Sequence, residues 1–261
     1  LAAMTDLGDL AGHAALVTGA GAVGREIAAS LARHNAGPIV IVDLVKENAE
    51  LGVAEIEKAG GRGVAVAADI TTKEGVDHLV EASKAAGQPI QILVHNAGIA
   101  PGYFGPDTMR PFSETDPSTW AATIKLNLDA VMMVTYAFVK PMIDTKWGRI
   151  VTIVSDAARV GDKFQSAYAA AKGGSGALMR VLASELGMSN INVNCVSLGS
   201  IWRSPEPPTD VQLGKIARHY PLGRPGYPVD VANVVTFLAS DAANWITGQT
   251  IPLNGGYSYT L

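Results

Sequence analysis

Cysteine is nearly absent. Cys195 is the only one in 261 residues, which excludes an internal disulfide and a cysteine-built metal site. It lies between Val193 and Val196 in a strand-like stretch, so core packing is its expected role. The five histidines, at 13, 34, 78, 95 and 219, show no ligand spacing, so no metal is expected. Charge of one sign is also scarce. The net charge is −4 and no Lys/Arg run exceeds two residues, so neither nucleic acid nor an anionic membrane is a natural partner. No stretch reaches the 18 or so uninterrupted apolar residues of a membrane span. The most apolar segment, 130–139, contains Thr135, follows Asp129 and reads as a buried helix. Residues 1–12 carry Asp6 and Asp9 without a basic stretch, so no signal peptide is expected and the location expected is cytoplasmic.

What is present is core material: 48% of residues are apolar against 17% charged, a balance that argues against disorder. Strand-like segments at 14–18, 38–43, 63–68, 90–95, 149–154, 191–196 and 249–253 alternate with helical patterns at 23–34, 46–59, 73–86, 117–143, 166–188 and 228–240. Several strands are rich in Val and Ile without polar alternation, as in sheets covered on both faces. The alternation predicts one α/β domain over 1–261, a Rossmann-type, doubly wound parallel sheet of about seven strands. Pro/Gly-rich stretches follow strands at 101–117 and 204–228. The loops around 99–117 and 201–220 are therefore candidate substrate walls.

Three groups of residues carry chemistry. Gly19, Gly21, Val23 and Gly24 lie where the first strand runs into a helix. Glycine there lets the backbone approach a pyrophosphate at the helix N-terminus. Asp43 follows at the end of the second strand, where a carboxylate accepts from an adenosine ribose hydroxyl. Asp69, before Ile70, closes the third strand as a helix N-cap, an adenine partner or both. Asn96, Ala97 and Gly98 close the fourth, where small residues would let the backbone pass beneath a ribose. Finally, Tyr168 and Lys172 stand four apart in a helical stretch, thirteen residues after Ser155. Side chains at i and i+4 share a helix face about 5–6 Å apart at Cβ, and a cation beside a phenol favours the phenolate.

Together these residues, with Asn127 and the segments Pro221-Leu222-Gly223-Arg224 and Ile246-Thr247-Gly248-Gln249, resemble the classical branch of the short-chain dehydrogenase/reductase family along essentially the whole chain. That branch includes 3-oxoacyl carrier-protein reductases and polyol or hydroxysteroid dehydrogenases. The resemblance implies hydride transfer between a nicotinamide and a secondary alcohol or ketone. Asn127 would hold a relay water and Ser155 would bond the reacting oxygen. Tyr168 would be the acid/base, and Lys172 would lower its pKa and hold the nicotinamide ribose. Gly199 and Ile201 would join the cofactor site, and Val160, Gln165 and Trp202 the substrate site. Asp43 predicts NAD over NADP, because it would oppose a 2′-phosphate.

The match has departures. The glycine turn is one residue shorter than usual, with Ala22 where glycine is expected. His95 replaces a frequent Asn, Leu198 a common Pro, and Arg203 a Thr that often touches the carboxamide. Two readings outside hydride transfer compete: a dinucleotide-sensing protein, and a dehalogenase- or lyase-like relative working without nicotinamide. The first usually loses the tyrosine and the second the glycine turn, and both features are present. Apolar residues on the helices at 117–143 and 166–188 (Val131, Met132, Met133, Val134, Ala137 and Phe138, with Leu178, Met179 and Leu182) predict a homotetramer, with a dimer second.

Overall fold

The computed structural model describes residues 8–99 and 109–259. The seven strands are β1 (Ala14–Thr18), β2 (Ile39–Asp43), β3 (Gly63–Ala67), β4 (Ile90–His95), β5 (Gly148–Ser155), β6 (Ile191–Leu198) and β7 (Thr250–Leu253). They form one parallel sheet in the order β3-β2-β1-β4-β5-β6-β7. Every residue of β1 is buried, and β2 and β5 open only at their last residues, Asp43 and Ser155. That is why these strands read as unbroken apolar runs.

Helices cover both faces. On one side α1 (Ala22–Arg33), α2 (Lys46–Lys58) and α8 (Pro228–Ala239) bury Ile27, Leu31, Ile56, Val231 and Val235 against β1, β2 and β4. On the other, α3 (Lys73–Ser83), α5 (Ala130–Thr145) and α6 (Ser166–Leu186) bury Val76, Leu79, Val131, Phe138 and Met179. Fully burying one such side chain stabilises by about 1.5–3 kcal/mol. Cys195 is a buried core residue, with its thiol pushed up to about 11 by burial.

The remaining helices are α4 (Ser118–Ile124) and α7 (Asp210–Ala217). A π-helical turn, Lys125–Asp129, joins α4 to α5. The resulting helix, Ser118–Thr145, is long and apolar enough to cross a membrane by length and composition alone. Its inward face, from Val131 to Met142, is packed into the core instead. Within the expected substrate loop, α7 was not foreseen. Its N-terminus is fixed by a capping box in which Thr209 and Gln212 bond each other's backbone N–H.

The strand order reverses between β1 and β4, so the connections leaving their carboxyl ends diverge and leave a crevice. The segments following Thr18, Asp43, Ala67, His95, Ser155, Leu198 and Leu253 meet there.

Candidate active site

A cleft of about 1150 Å³ opens along those strand ends. At one end, β1 runs through Gly19 into α1. Gly19 takes φ +80°, a left-handed backbone, and Gly24 sits so close beneath it that a Cβ there would lie 1.8 Å from the Gly19 carbonyl. Only glycine fits either position. A Cβ on Gly21 would meet nothing within 4 Å, so the turn presents open backbone at the start of α1, whose first turn carries no acidic residue. Asn96 locks this turn to β4 by donating to the carbonyls of Thr18 (3.0 Å) and Gly19 (2.8 Å). The backbone N–H groups of Asn96 and Ala97 both donate to the Thr18 hydroxyl.

Asp43 is held as firmly. Its carboxylate accepts from the backbone of Ala20 (2.8 Å) and Val45 (2.9 Å) and from the Asn48 amide (3.2 Å). Asp69 also lines this end, but it does not cap α3. Thr72 does so, accepting from Gly75 N–H, while Asp69 accepts from the backbone and hydroxyl of Thr71. The cap reading of Asp69 is therefore corrected.

At the other end, Tyr168 and Lys172 lie on the buried stripe of α6, with Ala171, Ser175 and Met179. Lys172 donates to the Ile153 carbonyl at 2.8 Å. Burial pushes its ammonium down to about 8. The Ser155 hydroxyl, at the tip of β5, hydrogen-bonds the Tyr168 phenol. Burial nevertheless raises the phenol above its ordinary value, outweighing Ser155 and the charge of Arg203, which lower it. Helical spacing did predict the proximity of Lys172. Yet the ammonium lies 5.8 Å from the ring centroid, bonded to the backbone instead. The groups that lower the phenol are thus Ser155 and Arg203, with burial outweighing both.

Asn127 sits in the π-helical turn, buried, with its amide donating to the Thr123 carbonyl at 3.0 Å. Its Oδ1 is buried with no hydrogen-bond partner among the described residues. A Cβ on Gly98 would lie 2.6 Å from Lys172 Nζ and 2.8 Å from Asn127 Oδ1. Gly98 thus keeps open a small polar gap between an ammonium and an unpaired acceptor. His95 lies behind, buried and driven down to about 3 first by burial and then by the charge of Lys172. It is therefore neutral, bonded through Nε2 to the Thr135 hydroxyl at 2.8 Å.

The family model described as enoyl-(acyl carrier protein) reductase matches residues 19–258. The 3-oxoacyl-(acyl-carrier-protein) reductase of Pseudomonas aeruginosa is 36% identical over 255 residues, 95% of this chain and 98% of that one. The chain belongs to the short-chain dehydrogenase/reductase family. A Thauera aromatica subunit of (2S)-[(R)-hydroxy(phenyl)methyl]succinyl-CoA dehydrogenase is 37% identical over 249 residues, covering 94% of this chain and 96% of that one. Among solved structures, a chain assigned as a short-chain alcohol dehydrogenase from Sinorhizobium meliloti superposes with a TM-score of 0.86 at 31% identity, covering 97% of this chain and 98% of that one. One assigned as a gluconate dehydrogenase from Agrobacterium tumefaciens gives 0.85 at 27% identity, covering 98% and 99%. The protein is an oxidoreductase acting on CH–OH or keto groups.

Within this dehydrogenase/reductase, the cleft wall holds Gly19, Gly21, Val23, Gly24, Asp43, Asp69, Ile70, Asn96, Ala97, Gly98, Gly199 and Ile201 together with Ser155, Gln165, Tyr168 and Lys172. Two expected substrate contacts fall outside it. Val160 is exposed on a π-helical turn over Ala157–Gly161. Trp202 faces a neighbouring hollow and donates its indole N–H to the Glu206 carbonyl at 2.7 Å. Side chains alternate along extended backbone. With Ile201 bridged to Gly226, Ile201 and Arg203 face the cleft and Trp202 is turned from it. Of the expected loop 99–117, residues 100–108 lie outside the described residues, including Tyr103 and Phe104.

Other wall residues were not anticipated. Lys215, Ile216, His219 and Tyr220 arrive with and just after α7, and Tyr257 arrives from the carboxyl-terminal segment. The Tyr257 hydroxyl donates to Asp162 at 2.8 Å, and its ring packs 5.4 Å from that of Tyr220. Beneath them Asp156, the residue after Ser155, is buried and accepts from Ser197 (2.5 Å), Asn254 (2.5 Å), Ser258 (2.8 Å) and Arg159 (3.1 Å). A buried carboxylate is tolerable only with such a full set of donors. The set ties residues 254–258 to the turn that carries Ser155.

Proposed function

We propose that this enzyme interconverts a secondary alcohol and a ketone with a nicotinamide dinucleotide, using Tyr168 as the acid/base. The observation that carries the reading is the Ser155–Tyr168 hydrogen bond inside a cleft whose other end is an open glycine turn. Gly19, Gly21 and Gly24 would admit the pyrophosphate, and Asp43 would meet the adenosine ribose. The nicotinamide supplies or accepts the hydride when bound. The protein's part is then orientation and a proton. Ser155 and Tyr168 converge on one oxygen and stabilise charge developing there. A phenol raised above its ordinary value holds its proton at neutral pH, so ketone reduction draws on a proton already in place. Asn127 Oδ1 and Lys172 Nζ, facing each other across the gap at Gly98, support a relay that returns the proton through a held water. The 3-oxoacyl-(acyl-carrier-protein) reductase and the hydroxyacyl-CoA dehydrogenase subunit among the relatives support a keto or hydroxy substrate. The reaction is tested by following 340 nm absorbance with either dinucleotide over a panel of alcohols and ketones. A dinucleotide sensor or a lyase-like relative would leave the absorbance unchanged.

NAD is proposed as the preferred dinucleotide. Asp43 is fixed by three donors at the cofactor end, where a 2′-phosphate would meet like charge. Arg25, in the first turn of α1, is engaged with the Ala20 carbonyl at 2.9 Å. Catalytic efficiency should be higher with NAD than with NADP, and Asp43→Ala should narrow the ratio. A higher efficiency with NADP in the unaltered enzyme would overturn the preference.

A cytoplasmic homotetramer, with a dimer second, completes the reading. Most of the apolar side chains offered for association prove to be core: Val131, Val134, Phe138 and Met179 are buried, and Met133, Ala137, Leu178 and Leu182 pack against them. What α5 and α6 leave exposed is Met132, Tyr136 and Val181. These support association by helix pairing. Light scattering at micromolar concentration should give a multiple of 27.1 kDa. The monomer mass would rule the oligomer out.

A further inference from the structure

Arg203 lines both the main cleft, with Ser155 and Tyr168, and the neighbouring hollow, with Ala22 and Arg25 of the first turn of α1. It makes no hydrogen bond or ion pair among the described residues. Glu206, which shares the hollow, does not pair with it. The backbone on either side is nevertheless fixed. Ile201 is bridged to Gly226, the Trp202 N–H donates to the Gly226 carbonyl at 2.8 Å, and the Trp202 indole is tied to Glu206.

Neither carboxylate in that part of the cleft pairs with Arg203: Asp156 accepts from four donors, and Asp162 accepts from the Tyr257 hydroxyl. Lys125, Arg203 and Lys215 line the cleft without an ion pair among the described residues, and cations placed in this way favour an anion brought in from outside. The charge of Arg203 also reaches the reacting phenol and opposes the effect of burial on it.

Resting on the oxidoreductase reading above, we infer that the substrate carries an anionic group close to its keto or hydroxy carbon, and that Arg203 binds it. Carboxylate and phosphate share the needed chemistry, since a guanidinium offers either a planar fork of donors. The anion would orient the carbonyl toward Ser155 and Tyr168 while its charge is answered at Arg203.

Two matched pairs of 3-keto substrates test this by the ratio of kcat/KM within each pair. The first is acetoacetate against uncharged methyl acetoacetate. The second is acetoacetyl-CoA against the uncharged N-acetylcysteamine thioester of the same acyl group. Each is measured in the unaltered enzyme and in Arg203→Gln, and NADH binding to both proteins is followed by fluorescence. The expected result is a preference for the charged member that falls on the order of tenfold in Arg203→Gln. A fall confined to the first pair places the anion on the substrate as a carboxylate. A fall confined to the second would place the anion on the carrier, a pantetheine arm away from the keto carbon, and would overturn the inference. Ketone reduction with both ratios unchanged by the substitution would overturn the inference and leave the oxidoreductase reading intact. The same holds if only NADH affinity is lost, because Arg203 would then serve the dinucleotide. No turnover across a wider ketone panel would sink the oxidoreductase reading itself.

Discussion

Tyr168→Phe should lower turnover at least about 10²-fold while leaving dinucleotide binding largely intact. The substitution removes one hydroxyl from a buried ring and changes no packing volume, so the fold should persist. What is lost is the proton donor, and positioned acid/base groups contribute typically 10²–10⁴-fold. Ser155, which hydrogen-bonds the phenol, cannot replace it, because an alcohol is a far weaker acid. Stopped-flow or steady-state rates at 340 nm, beside an NADH fluorescence titration, separate the two effects. Turnover near that of the unaltered enzyme would remove Tyr168 from the chemistry.

The second large effect is expected far from the cleft. Arg149, at the amino end of β5, is completely buried, and its guanidinium donates to Asp241 at 2.8 Å. It also donates to the Asn244 side chain and to the Gly148 carbonyl, and it stacks 4.3 Å over the Trp147 ring, which in turn stacks on His13. Burial lowers the Arg149 pKa, and Asp241 opposes that. Asp241→Ala would leave a buried guanidinium without its counter-charge, a change that costs about 3–5 kcal/mol when the pair is fully buried. Asp241 is half exposed and other acceptors remain, so roughly 2–3 kcal/mol is expected here. Thermal denaturation should show a melting point several degrees lower, with Asp241→Asn intermediate. A variant melting within a degree of the parent would show that the remaining acceptors suffice.

The strands were legible because parallel strands buried on both faces leave continuous Val/Ile runs, as in Ile39-Val40-Ile41-Val42. The Tyr168–Lys172 pairing was legible because helical geometry fixes neighbours at four residues. What spacing cannot carry is solvation. That Lys172 would bond a backbone carbonyl, and that burial would dominate Tyr168, depends on Ile153 and the sheet beneath. Nor does a linear pattern say which way a loop residue points, so Trp202 and Val160 were misplaced. Helix α7 was masked by Pro205, Pro207 and Pro208, although Thr209 and Gln212 stood at capping-box spacing just after them. Asp69 looked like a cap because carboxylates often are, but Thr72 stands one residue before the first helical residue. The part played by Tyr257 had no local signal at all, since its partner Asp162 lies 95 residues earlier.

The knot of donors around Asp156 gives the carboxyl end of the chain a say in which molecules are accepted. Segment 254–258 shares one carboxylate with the turn bearing Ser155, and its Tyr257 lines the cleft. Grafting a different ending onto the same sheet would therefore recut the mouth of the site while Tyr168 and Lys172, anchored on α6, stay in place.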